Sequence, residues 1–211
     1  MADGPVLRNG LTNYAGPLPI KTKKINGMVQ VYTGAGKGKT TASLGLAMRA
    51  LGHGFDVCMI QFLKGGSYLG EIESAKKFKN FKLKQFGIDC PWAEQLKDGK
   101  KICGSCRYCF SVLKEDQKLG HEALEAAKEA VSSGKHDLVI LDEINVAMSI
   151  GLVDTQEILK ILKGKAKETE VVLTGRNAPK EIIDFADLVT EMKLIKHPML
   201  NGHPSRLGIE F

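Results

Sequence analysis

The sequence contains no run near the 18 or so consecutive apolar residues that a membrane-crossing helix needs, so a helical membrane protein is not expected. Its first residues lack the apolar core and small-residue cleavage site of a secretory leader, and export is not expected. With no export signal, the five cysteines point to a reducing compartment, where disulfides are disfavoured. The expected location is therefore the cytoplasm. No internal repeat and no low-complexity stretch is present, and aromatics make up only 6%. Aromatic and basic residues do not interleave as in proteins that stack single-stranded nucleic acid, so no nucleic-acid partner is expected.

What is present is a globular composition. The chain has 211 residues, 43% hydrophobic and 26% charged, enough for one well-buried domain and too short for two ordinary ones. Thirty basic against 24 acidic residues leave 30 − 24 = +6, which suits an anionic ligand such as a nucleotide or a phosphorylated cofactor. Short clusters, Lys21/Lys23/Lys24 and Lys76/Lys77/Lys79, read as solvated surface.

Residues 1–27 carry three prolines and four glycines without apolar periodicity and are expected to form a flexible arm. From Met28 the pattern changes. MVQVYT predicts a short buried strand, and a helix follows from about Thr40 with Leu44, Ala47, Met48 and Leu51 as its core stripe. Strands are expected at Phe55–Phe62, Phe81–Phe86, Leu138–Leu141, Glu170–Thr174 and Leu188–Ile195. Helices are expected at Glu71–Phe78, Ser111–Val131, Thr155–Leu162 and after Pro179. Strands that alternate with helices and are apolar throughout imply an α/β fold, an open and mostly parallel sheet with helices on both faces. Residues 28–211 read as one such domain, with a cysteine-containing insert at about 87–110.

The chemistry concentrates between the first strand and the first helix. Gly34-Ala35-Gly36-Lys37-Gly38-Lys39-Thr40-Thr41 can turn backbone N–H groups and a helix N-terminus toward anionic oxygens. Lys39 can reach a phosphate, and the Thr40 hydroxyl can hold magnesium. The strict pattern would have glycine where Thr33 stands, so the loop is a variant of the P-loop. Leu138–Leu141 closes on Asp142 and Glu143, and ligands of open parallel sheets sit at such strand ends. These features indicate a P-loop NTPase-like nucleotide site.

Several segments together resemble the P-loop branch of the ATP:corrinoid adenosyltransferases. They are GAGKGKTT, AMRALGHG with Arg49, VCMIQFLKG at Val57–Gly65, VILDEINVAM, the stretch from Val171 to Gly202 with Arg176 and His197, and the ending LGIEF. The resemblance covers about residues 28–86 and 111–211. It implies that ATP binds in an orientation reversed from most P-loop enzymes, with its 5′-carbon facing a corrinoid whose Co(I) attacks it and releases triphosphate. On that resemblance, Lys39, Glu143 and Arg176 are catalytic, and Lys37, Lys39 and magnesium at Thr40 take up the leaving group's charge, with Glu143 helping to hold the metal. Arg49, Phe86, Trp92 and His197 fall on the corrinoid side. Alternative roles are a surface ion pair for Arg49, core packing for Phe86 and Trp92, and capping for His197. The family also implies a homodimer and a flavoprotein reductase that supplies electrons.

Two regions depart from the family. Residues 1–27 lack its basic helical segment. Cys90 with Cys103-x2-Cys106-x2-Cys109 has the spacing of a zinc or iron–sulfur site, with unligated thiols in a mobile insert as the other reading. Cys58, inside an apolar strand, reads as a small buried hydrophobe. Two competing functions share the loop and the carboxylates: another P-loop enzyme such as a kinase or NTPase, or an ATP-dependent nucleic-acid module with a zinc knuckle.

Overall fold

The computed structural model describes residues 26–66, 68–102 and 114–211. Six strands form one parallel sheet: β1 (Val29–Thr33), β2 (Val57–Phe62), β3 (Phe81–Phe86), β4 (Leu138–Asp142), β5 (Glu170–Thr174) and β6 (Leu188–Glu191), in the order β3-β2-β4-β5-β1-β6. The helices are α1 (Lys39–Gly52), α2 (Gly70–Ala75), α3 (Ala93–Lys97), α4 (Lys114–Ser132), α5 (Ile144–Ser149), α6 (Thr155–Lys163) and α7 (Lys180–Phe185), followed by a 3-10 turn at Pro198–Asn201. The expected α/β class is observed. Among the described residues no helix is long and apolar enough to cross a membrane.

Strand side chains alternate between faces, so one apolar strand serves two cores. Cys58, Ile60 and Phe62 of β2, Val139 and Leu141 of β4, and Val171 and Leu173 of β5 join Ala123 and Ala127 of α4, Ile144 of α5, Ile158 of α6 and Ile182 of α7. Met59, Ile140 and Val172 point the other way, to Ala47, Ala50 and Leu51 of α1. Burying each large apolar side chain stabilises the fold by about 1.5–3 kcal/mol, which is why a central strand such as β4 tolerates no exposed position.

Five details correct the sequence reading. The buried face of α1 runs through Ser43, Ala47, Ala50 and Leu51, while Met48 is 57% exposed, because a cavity opens beside Leu44 and Met48. The edge strands are not apolar throughout: β3 alternates with lysines, and every residue of β6 is exposed. β6 stops at Glu191 rather than Ile195. A short helix, α3, forms in the stretch read as aperiodic. α5 was not anticipated, since it starts directly at the acidic end of β4.

The chain leaves β1 for β2 on one side, crossing over β5 and β4, and β6 lies on the other side of β1. The carboxyl end of β1 is thus next to the point where the winding reverses, which is where open α/β sheets bind ligands.

Candidate functional site

The loop between β1 and α1 is shaped by close approach. Gly34 and Gly38 have φ of 96° and 116°, the left-handed region that side chains rarely enter. A Cβ on Gly36 would lie 2.6 Å from the Lys193 carbonyl, and the Gly36 N–H donates to the Met192 carbonyl at 2.7 Å. The dense glycine spacing therefore lets the loop lie against the chain leaving β6. Gly36 does not turn its N–H toward a ligand, as the sequence reading had it. At α1 the cap position is Gly38, with no side chain to occupy the first-turn N–H groups. Lys39 is buried, and its Nζ donates to the carbonyls of Gly34 (2.8 Å) and Gly36 (2.6 Å). Burial pulls its pKa down, Arg176 adds to this, and Glu143 and Asp142 oppose it.

Across the cavity, Asp142 is fully buried and saturated with donors. Its Oδ1 accepts from Thr40 Oγ1 at 2.8 Å and from Thr174 Oγ1 at 2.6 Å. Its Oδ2 accepts from Gln61 Nε2 at 3.1 Å and from Lys64 Nζ at 2.7 Å. Glu143 has φ of 60°, an unusual backbone for a residue with a side chain, and its N–H donates to Thr174 Oγ1 at 3.0 Å. Burial pushes the Glu143 carboxyl up, neighbouring Asp142 pushes it further, and Lys64, Lys39 and Arg176 pull it back.

The loop, Lys64 and Glu143 face one cavity of about 1270 Å³, and Asp142, Gln61 and Thr174 lie buried behind them. Its polar wall is the loop from Ala35 to Thr41 with Lys64, Glu143 and Arg176, and its apolar wall includes Leu44, Met48, Phe78 and Phe81. The C-terminal turn closes one side. Glu210 pairs with Lys37 at 2.8 Å and with Arg206 at 3.0 Å, and Phe211 packs edge-on against Tyr68 with 5.4 Å between ring centroids.

Most of the residues expected at the site meet in this cavity. Ala35 through Thr41, Glu143, Arg176 and His197 all line it, and Gly34 supplies a carbonyl to Lys39 beneath it. His197 also caps the 3-10 turn, its Nδ1 accepting from the Met199 N–H at 3.2 Å. Three residues expected on the corrinoid side are not part of the lining. Arg49 is exposed on α1, where its charge acts on Tyr32. Phe86 packs against the hydrophobic core, and Trp92 lies under Lys101, whose Nζ is 3.5 Å from the ring centroid. Cys90 lines the cavity as a free, half-buried thiol. Cys103, Cys106 and Cys109 lie outside the described residues, and among the described residues no group of three or more metal-ligating side chains occurs. Buried Cys58 behaves as expected.

Lys64, Gln61 and Thr174 belong to the site although no motif in the sequence marks them individually. Each stands at or just beyond the carboxyl end of a strand, the same positional signal that had singled out Asp142 and Glu143.

A glycine loop with a buried lysine before a helix, facing a threonine–aspartate pair at a neighbouring strand end, defines a P-loop nucleotide-binding protein. The family model for the ATP:corrinoid adenosyltransferases BtuR/CobO/CobP matches residues 25–211, and the chain belongs to that family. Among similar proteins, a corrinoid adenosyltransferase of Sinorhizobium sp. is 39% identical over 88% of this chain and 80% of its own length. A corrinoid adenosyltransferase of Pseudomonas aeruginosa is 31% identical over 88% of this chain and 84% of its own. An uncharacterized protein of Nostoc sp. is 32% identical over 85% of this chain and 47% of its own length.

Proposed function

We propose that the protein transfers the 5′-deoxyadenosyl group of ATP to the Co(I) centre of a corrinoid and releases triphosphate. The observation that carries this reading is the two-sided cavity, with a cationic phosphate loop on one wall and apolar side chains on the other. Co(I) forms the bond to the 5′-carbon with its own electron pair. The carbon–oxygen bond breaks, and triphosphate departs with the electron pair of that broken bond. No proton need move at the reacting carbon, so the chain's work is orientation and charge stabilisation. Lys39, Lys37 and Arg176 face the developing charge on triphosphate. Lys39 exchanges the carbonyls of Gly34 and Gly36 for phosphate oxygens to do so.

The acidic strand end suits magnesium. Its groups are hard oxygen donors, and they already hold a cation, since the Lys64 ammonium bonds Asp142 and lies 3.4 Å from Thr40 Oγ1. Thr40, Asp142 and Glu143 would hold the metal, which supplies charge neutralisation at the triphosphate. Leu44, Met48, Phe78 and Phe81 offer the corrinoid an apolar face. Arg49, Phe86 and Trp92 are given no contact in this arrangement. The family resemblance supports a homodimer in the cytoplasm, supplied with electrons by a flavoprotein reductase. A zinc site at Cys90, Cys103, Cys106 and Cys109 has thiol spacing as its support.

Phosphorus NMR of the products separates this reaction from phosphoryl transfer. Intact triphosphate in amounts equal to the adenosylated corrinoid is expected. ADP and orthophosphate without corrinoid consumption would contradict it.

A further inference from the structure

Lys64 is held in place by more than its own bonds. Leu63 before it has φ of 57°, and the Leu63 N–H donates to the Phe86 carbonyl at 3.0 Å. Gly65 bridges to Asp89, and the two loops touch so closely that a Cβ on Gly65 would lie 2.2 Å from the Gly87 carbonyl. A Cβ on Gly87 would lie 2.4 Å from the Lys64 nitrogen. The backbone of Lys64 is therefore locked between two strand ends, and its side chain is the part left free to move.

We propose that Lys64 is a placeholder cation, which occupies the metal position at Asp142 and Thr40 in the nucleotide-free protein and transfers to the triphosphate when nucleotide and metal enter together. Its Nζ is 2.7 Å from buried Asp142 and 3.4 Å from the Thr40 hydroxyl, the two groups a phosphate-bound metal would share. The Lys64 side chain is largely covered, 23% exposed, and its ammonium sits against a carboxylate that is not exposed at all. Asp142 is fully buried, and a buried carboxylate without a counter-cation is unfavourable, so a cation beside it is favoured before ATP arrives. Two cations cannot both sit against Asp142 and Thr40. A metal alone must break the Lys64–Asp142 pair and leave the ammonium only the partly buried carboxylates of Glu71 and Glu143, the second of which the metal would also claim. A metal that arrives with triphosphate brings a stronger anion, and the flexible four-carbon stem of Lys64 swings to it. Lys64 thus excludes metal without nucleotide and becomes an additional charge-stabilising residue with it. This rests on the adenosyl-transfer reading for the identity of the anion.

Manganese(II) is the probe, followed by loss of its free-ion EPR signal in the absence of nucleotide. Wild type and Lys64→Arg should bind weakly, Lys64→Met at least tenfold more tightly, and Lys64→Met/Asp142→Asn weakly again. The melting temperature of Lys64→Met should likewise rise with manganese more than that of wild type. Should Lys64→Met fail to fold, Lys64→Gln in the same titration reads the same two outcomes. Manganese affinity that is equal in wild type and the neutral variants overturns the placeholder role. Wild type that makes the adenosylated corrinoid alongside that result leaves the reaction standing, so the two failures are distinguishable.

Discussion

The ammonium of Lys37 lies 2.8 Å from the Glu210 carboxylate, joining the phosphate loop to a turn 173 positions later. Lys37 also donates to the Ile209 carbonyl at 3.3 Å. The carboxylate holds a loop lysine that triphosphate would claim, so the two anions compete. Glu210→Gln should tighten ATP binding by about threefold at low salt, the modest value of an exposed ion pair, and the gain should shrink at high salt. Calorimetric titration at two salt concentrations reads this; unchanged affinity would mean that the C-terminal turn plays no part in nucleotide entry.

Gly36→Ala places a methyl group against the Lys193 carbonyl, where there is no room for it. The loop must move off the chain leaving β6, at a cost of about 1–3 kcal/mol. ATP affinity should fall at least about tenfold while far-ultraviolet circular dichroism stays the same, because the orphan N–H groups of α1 no longer share one focus with Lys39.

Arg176 and Arg49 give a paired test of placement. Arg176 lines the cavity and Arg49 does not. Arg176→Met should slow adenosyl transfer by about tenfold or more, as loss of one positioned charge does. Arg49→Met should change it by less than about twofold, in keeping with an exposed charge. Single-turnover rates under anaerobic conditions measure both, and the reverse ranking would move the reaction away from this cavity.

Acid sensitivity should come in part from His136. Its Nδ1 is buried without a hydrogen-bond partner among the described residues, and burial, with Lys82 and Lys135, holds its pKa below the usual histidine value. The unfolded chain therefore takes up a proton at a higher pH than the folded one, and stability falls as pH drops through the ordinary value of about 6.5 to the folded one. Melting temperatures between pH 8 and 5 should decline less for His136→Gln than for wild type over that window. A parallel decline would assign the acid loss to other groups.

β1, the phosphate loop and α1 were legible because three independent patterns coincide there: an apolar run, glycines at close spacing, and a helical period. β4 was legible as a buried run that ends in acid. The stripe on α1 was misread at Met48, which is apolar for the cavity, whereas Leu44 lines the cavity and also packs against the core; helical periodicity does not separate the two. α5 was missed because its six residues follow Glu143, whose positive φ gives no sequence signal. Lys64 carried none either. Its meaning comes from Asp142, 78 positions away, and only the register of β2 against β4 brings the two together. Gly36 was recognised as necessary, though for packing on Lys193 rather than for a free N–H.

The proposed role of Lys39 and its loop is adenosyl transfer to cobalt. The most direct test mixes the protein with ATP, magnesium and chemically reduced cobalamin without oxygen and follows the visible spectrum. The light-sensitive spectrum of adenosylcobalamin should grow with wild type and be lost with Lys39→Ala. A Co(I) spectrum that persists while wild type still binds ATP would contradict the account.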